Sequence, residues 1–225
     1  MSVLRTSAIV LRRTNYGEAD RIVQLLTPKG KYGVVARGVR REKSKLAGGI
    51  ELFAVCDVVI QEGKGDLGII TSARLVRFYR HILDNYDGMQ FAYEVLKQVG
   101  RASEMVDEPE WYDLTVEILT ALDDMPTASL ALIETWFYVR YAALLGHELS
   151  LANDTEGNHL QVDKRYSYDA YEKGLRQASR GELTADHIKL LRLISVKSLA
   201  ALMQIGGTDA ILDECLQVSR EHAGM

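Results

Sequence analysis

Apolar residues in the first eighty positions come in short runs, and turns that contain glycine or proline separate the runs. The runs are rich in β-branched residues, and no helix cap precedes the first of them. They predict five strands, at Leu4–Arg12, Arg21–Thr27, Lys31–Ala36, Leu52–Gln61 and Leu67–Phe78. Five short strands in about 80 residues fit a small closed barrel better than an open sheet. The OB-fold is a five-stranded barrel of this size, and it often binds single-stranded nucleic acid.

From about Tyr79 the apolar positions change to a helical period. Phe91, Val95 and Val99, for example, are four residues apart and share one helix face. Similar patterns and caps predict helices over about residues 87–102, 107–123, 129–145, 184–205 and 208–221. The helix over 184–205 is apolar nearly all round, which predicts that it forms the buried centre of an all-α domain.

Residues 147–168 follow neither period. They are polar and contain a turn-like Asn-Asp-Thr-Glu cluster, so they predict an irregular insertion. The predicted fold class is therefore α+β with two domains. An N-terminal OB-fold domain covers residues 1–80, and an all-α C-terminal domain with the insertion covers residues 81–225.

The charges support this division. The chain has 225 residues and a net charge of −4, but residues 1–80 contain 15 Lys and Arg against 7 Asp and Glu. Residues 81–225 contain 12 Lys and Arg against 24 Asp and Glu. A basic domain is typical of proteins that bind DNA or RNA, and an acidic domain more often binds protein.

The strongest basic feature is the segment of residues 37–49, here called the basic segment. It carries five cations and one acid, Glu42, between two predicted strands, and its glycines allow tight turns. Too few acids lie nearby in the sequence to neutralise the cations. We therefore interpret it as a basic loop or short helical turn that binds a polyanion, most commonly nucleic acid. The alternative is a solvated connector whose lysines keep the protein in solution.

Patterns typical of catalysis are missing from the sequence. It contains no CxxC pair, no HExxH and no glycine-rich phosphate loop, and nothing suggests a nucleophile beside a base. We expect a binding protein without enzymatic activity or cofactor. Cys56 and Cys215 are far apart and are expected to be buried thiols. No run of about 18 apolar residues and no signal-peptide core is present, so we expect a cytoplasmic protein without a membrane partner.

Several motifs in the first eighty residues match one bacterial family. They are Thr6–Leu11, the Tyr16–Asp20 turn, Leu26-Thr27, Gly30, Val35–Gly38, Arg41, Lys43-Ser44 and Leu52-Phe53. On these residues the chain resembles the RecO family of recombination mediators. The likeness is specific across residues 1–80 and weaker beyond, and the order of barrel and then helices fits the whole chain.

The resemblance implies a protein that binds single- and double-stranded DNA and anneals complementary strands. With RecR it would help load RecA onto DNA coated by single-stranded-DNA-binding protein, and it would contact the acidic C-terminal tail of that coating protein. The resemblance also implies association with the nucleoid. Many members carry a four-cysteine zinc module where residues 147–168 lie, but this chain has no cysteine there, so we expect no metal.

Arginine can fork onto a phosphate and stack on a base, whereas lysine acts as a point charge. Tyr16 and Tyr32 could stack on bases, although a tyrosine in a small barrel more often packs in it. Two other functions stay open: an RNA-binding OB-fold module, and a protein-interaction scaffold that uses the acidic helical domain. The candidate DNA-binding residues are Arg37, Arg40, Arg41, Lys43 and Lys45, with Arg12, Arg13 and Lys31 as additions.

Overall fold

The computed structural model describes residues 2–63, 65, 67–124 and 130–225. The chain divides into two compact units between Asp124 and Met125. The first unit holds the barrel together with the first two helices of the region that follows it. The division of the chain into residues 1–80 and 81–225 stays a prediction.

The barrel strands are β1 (Val3–Tyr16), β2 (Asp20–Thr27), β3 (Gly30–Ala36), β4 (Ala54–Gln61) and β5 (Gly68–Phe78). They form a closed barrel in the order β1-β2-β3-β5-β4, and β4 pairs with β1 to close it. All neighbouring strands are antiparallel except β3 and β5, which pair in parallel. The predicted OB-like barrel is confirmed.

Alternate residues of the strands fill the barrel interior, where Ala8, Val10, Val23, Leu25 and Val34 belong to one buried cluster. Their neighbours Ile9 and Leu26 are also fully buried, although successive side chains point to opposite faces of a strand. Helix α1 (Tyr86–Met105) contacts β1 and β3, and helix α2 (Glu110–Asp124) contacts β2. These two helices therefore cover the outer face of the first three strands.

One strand boundary differs from the prediction for a local reason. Strand β4 begins at Ala54 and not at Leu52, because Phe53 has a φ of 55° in the left-handed region. Phe53 is buried, and its carbonyl accepts a hydrogen bond of 3.0 Å from the backbone N–H of Tyr79. The chain therefore turns sharply before it enters the strand.

The second unit contains helices and one small hairpin. Helices α3 (Leu130–Leu144) and α6 (Asp209–Ala223) pack together, and strands β6 (Tyr166–Asp169) and β7 (Gly174–Gln177) pair antiparallel. The hairpin begins inside the region predicted to be irregular, so the unit is not wholly α-helical. Residue 129, the predicted start of α3, lies outside the described residues. The remaining elements are helices α4 (Ala185–Val196) and α5 (Leu199–Leu202).

The long helix predicted over residues 184–205 is interrupted. Helix α4 ends at Val196, Lys197 is extended, and the Ser198 side chain accepts a hydrogen bond from the backbone N–H of Ala201. A serine that caps a new helix competes with the continuation of the old one. The apolar period runs across this break, and that is why the period alone predicts a single helix.

Both cysteines are buried, as predicted. Cys56 lies in the barrel cluster and Cys215 lies in α6. Burial raises the pKa of Cys56 to about 11 and the pKa of Cys215 to about 12. Among the helices of the described ranges, none is long and apolar enough to cross a membrane.

Candidate nucleic-acid interface

The basic segment is a run of turns between β3 and β4 that ends in a 3-10 turn, Ala47–Gly49. Backbone hydrogen bonds hold the turns: Arg41 N–H donates to Gly38 O, and Ser44 N–H donates to Arg41 O. Gly38 has a φ of 62°, which a side chain would disfavour, and its N–H donates to Asp20 Oδ1 at 2.7 Å. Backbone hydrogen bonds and the Asp20 carboxylate therefore hold the turns of the segment.

Apolar residues anchor the segment to the barrel. Val39 and Ile50 are buried in the barrel cluster, and Leu46 and Ala47 pack against it. The cations of the segment are left at the surface. All five are exposed: Arg37, Arg40, Arg41, Lys43 and Lys45.

Few partners neutralise these cations. Arg40 donates to Gly17 O at 3.2 Å, which is a contact with the β1–β2 turn and not with an acid. No described residue forms a hydrogen bond or ion pair with the side chains of Arg37, Arg41, Lys43 or Lys45. The structure thus brings together five cations that are available to an anionic ligand.

The three additional candidates have different environments. Arg13 donates to Glu51 Oε2 at 2.7 Å and to Ile50 O at 3.3 Å. Lys31 donates to Gly100 O at 2.9 Å and pairs with Glu104, whose pKa it lowers through this hydrogen bond and its charge. Arg12 is exposed, and no residue in the described part of the chain pairs with it. Arg12 is therefore the one of the three whose charge has no internal partner.

Arg12, Arg13 and Lys31 line a groove of about 620 Å³ between the barrel and α1. Leu11, Leu52 and Leu96 supply apolar parts of its lining. The side of the groove formed by α1 also carries Tyr93, Lys97 and Arg101. The groove is thus basic at its edges and partly apolar within.

The two tyrosines named from the sequence are placed differently. Tyr16 is 58% exposed at the end of β1. Tyr32 is partly buried and packs against the barrel cluster. Of these two rings, only that of Tyr16 lies largely open to a ligand.

The arginines at the end of β5 are engaged in the fold. Arg74 pairs with Asp57 at 2.6 Å, and Arg77 pairs with Asp124 at 2.9 Å. Asp123 is buried and accepts a hydrogen bond from the backbone N–H of His81 at 2.8 Å. Asp57 therefore links β4 to β5, and Asp123 and Asp124 link the end of β5 and the turn after it to α2.

Comparison with known proteins gives one family. The family model described as recombination protein O N terminal matches residues 1–79, and the model described as recombination protein O C terminal matches residues 80–223. The chain belongs to the recombination protein O family. The resemblance stated from the sequence is confirmed, and it extends over both parts of the chain.

Curated RecO proteins show the same relation. A protein named DNA repair protein RecO from Dehalococcoides mccartyi is 27% identical over 93% of this chain and 85% of its own length. Proteins of that name from Roseiflexus and Bifidobacterium longum are 35% and 34% identical, over 54% and 65% of this chain. The chain spans 43% and 62% of the length of these last two relatives.

The insertion of this RecO-family chain is organised by side-chain caps. The Asp154 carboxylate accepts hydrogen bonds from the backbone N–H groups of Glu156 and Asn158, at 3.0 and 2.8 Å. No group of three or more His, Cys, Asp or Glu side chains in the described ranges is arranged to hold a metal ion. Asp154 therefore acts as a turn cap in the structure.

We expect the purified protein to contain no stoichiometric zinc, because the insertion offers no thiolate ligands. A strong chelator is then expected to leave the melting temperature unchanged, since no metal contributes to folding. Elemental analysis together with thermal melts checks both points. About one zinc per chain, or a melt that falls on chelation, would contradict the prediction.

The residues that sequence reasoning missed are on α1. Tyr93, Lys97 and Arg101 follow one another at intervals of four residues, so they share one helix face. That spacing is visible in the sequence. Only the fold shows that this face lines the groove beside Arg12 and Lys31.

Proposed function

We propose that this RecO-family protein is a DNA-binding recombination and repair mediator that binds single- and double-stranded DNA and anneals complementary strands. The observation that supports the proposal is the set of five exposed cations on the basic segment, which apolar residues anchor to the barrel. Phosphates are the ligands that such a surface favours, and most of the affinity of such contacts comes from counterion release. Contacts of this kind position DNA without reading its sequence.

Annealing follows from the same electrostatics. Two complementary strands repel each other through their phosphates until base pairing compensates for the repulsion. A protein that neutralises phosphates on one strand lowers the repulsion that the second strand meets. The free energy of annealing then comes from base pairing, so the proposal includes no ATP hydrolysis, cofactor or other chemical step.

The partners proposed here rest on family membership. With RecR, the protein would help load RecA onto DNA coated by single-stranded-DNA-binding protein, and it would contact the acidic C-terminal tail of that protein. DNA binding of this kind would also bring the protein to the nucleoid.

An annealing assay tests the proposal. Two complementary oligonucleotides, one carrying a fluorophore and the other a quencher, are mixed without ATP at low salt. We expect the wild-type protein to accelerate annealing and expect the variant with alanine at Arg40, Arg41 and Lys43 to do so much less. An excess of unrelated single-stranded DNA should compete with the labelled strands.

Two outcomes would contradict the proposal. If the wild-type protein gave no acceleration and bound neither DNA strand, DNA binding itself would be wrong. If unrelated RNA competed far better than DNA of the same length, an RNA-binding module would be the better assignment.

A further inference from the structure

We propose that the groove between α1 and the barrel is a second contact site for single-stranded DNA. In this site Arg12 and Arg101 bind phosphates, and Tyr93 stacks on an unpaired base. The proposal rests on the proposed function, and it assigns a role to a helix outside the predicted DNA-binding domain.

The cations of the groove differ in whether an acidic side chain pairs with them. Arg13 and Lys31 have acidic partners in Glu51 and Glu104, and Lys97 pairs with Glu94 at 3.2 Å. Arg12 and Arg101 are exposed, and no described residue pairs with either side chain. One lies on β1 and the other on α1, so an anion in the groove has an unpaired guanidinium on each side.

The groove also offers an aromatic ring. The Tyr93 ring packs edge-to-face on Phe53, with the ring centroids 4.8 Å apart, and the residue is 45% exposed. Phe53 is buried and fixed in the turn before β4, so it holds the tyrosine ring in place. A ring that is held in this way loses little conformational freedom when a base stacks on it.

These features favour a single strand over other anions. A duplex keeps its bases paired inside, so it cannot present a base face to Tyr93, whereas an unpaired strand can. The volume of about 620 Å³ lies within the range of small-molecule sites, which suits a nucleotide of the strand better than a duplex. A peptide whose side chains are all acidic would satisfy the arginines but would leave the ring and the apolar lining unused.

One strand of DNA can contact both the groove and the basic segment. Strand β1 links them: it carries Arg12 at the groove, and it leads into the turn whose Gly17 carbonyl binds Arg40. Five residues of strand span roughly 17 Å, at about 3.3 Å per residue. OB-folds bind about 4–16 nucleotides, so one bound strand can reach both surfaces.

Binding of fluorescent oligothymidylate of about 20 nucleotides, a length chosen to exceed the site of one OB-fold, tests the groove. Alanine at Arg12 and Arg101 is expected to flatten the slope of log affinity against log salt by about 1.4, or about 0.7 for each lost contact. Alanine at Tyr93 is expected to weaken binding by about 5- to 150-fold. Tyr93→Phe keeps the ring and should restore most of the affinity.

The control is the variant with alanine at Arg5 and Lys29. Both residues are exposed cations of the same unit, and they lie outside the groove and the basic segment. The control should bind like the wild type. A duplex of equal length should be insensitive to Tyr93→Ala, because it offers no free base. Circular dichroism and thermal melts check that each variant is folded.

The outcomes separate this proposal from the proposed function. If the wild type bound no DNA, both would be wrong. If the wild type bound DNA and both groove variants behaved like the control, only the groove assignment would be wrong. If the groove variants lost binding of a poly-glutamate peptide while DNA binding was unchanged, the groove would be a peptide site, which would also overturn the assignment.

Discussion

Alanine at Arg40, Arg41 and Lys43 is expected to flatten the dependence of log affinity on log salt by about 2 units for single-stranded DNA. Each phosphate contact contributes about 0.7 to that slope through counterion release, so three lost contacts account for the change. If the affinities converge at 1 M salt, the variant binds about 100-fold more weakly at 0.1 M salt. Fluorescence titrations at several salt concentrations give the slope directly.

The fold should be unaffected by these three substitutions. The side chains are exposed, and the turns are held by backbone hydrogen bonds and by the buried Val39. The melting temperature is therefore expected to stay within a few degrees of the wild type. The weakening should be the same on every sequence, because phosphate contacts do not read bases.

The matched control removes three positive charges elsewhere, with alanine at Arg5, Lys29 and Arg180, which are all exposed. It changes the net charge as much as the variant of the basic segment does. It therefore separates the effect of local phosphate contacts from the effect of the overall electrostatic field of the protein. If the variant of the basic segment and this control both bound DNA with the wild-type slope and affinity, the basic segment would be a solvated connector.

The barrel could be predicted from sequence because its signals are local. Short runs rich in β-branched residues and the turns that separate them lie next to each other in the chain. The start of β4 and the break between α4 and α5 differ from the prediction. Their causes are also local, but they are backbone conformations that the hydropathy pattern does not encode. Phe53 takes a left-handed φ, and Ser198 caps a new helix within an apolar run.

The basic segment could be identified for a similar reason, since its five cations are adjacent in sequence. The ion pair of Lys31 could not be predicted, because its partner Glu104 is 73 residues away and contacts it only after α1 packs on the barrel. The groove shows the same limit. The spacing of Tyr93, Lys97 and Arg101 is evident in the sequence, but the opposite wall comes from β1 and β3.

Gly49→Ala is expected to destabilise the first unit strongly, whereas Gly48→Ala is not. A Cβ atom at Gly49 would lie 2.4 Å from Ala73 O and 2.5 Å from Ala73 C, which are backbone atoms of β5. That backbone is fixed because Ala73 lies opposite Val58 in the pairing of β4 and β5. The substitution therefore forces apart the end of the basic segment and the barrel wall, at a cost of about 3 kcal/mol.

Gly48 is the matched control, since it is the preceding residue of the same 3-10 turn and a Cβ atom there meets nothing within 4 Å. Neither glycine has a positive φ, so alanine is compatible with the backbone at both and only the close contact differs. With about 2–4 °C per kcal/mol, Gly49→Ala should lower the melting temperature by about 6–12 °C, and Gly48→Ala by much less. Because Gly49 seats the segment on β5, its variant should also bind DNA more weakly than the Gly48 variant. Equal melting temperatures for the two variants would mean that the segment can move away from β5 at little cost. The inference that the segment holds its cations in ordered positions would then be wrong.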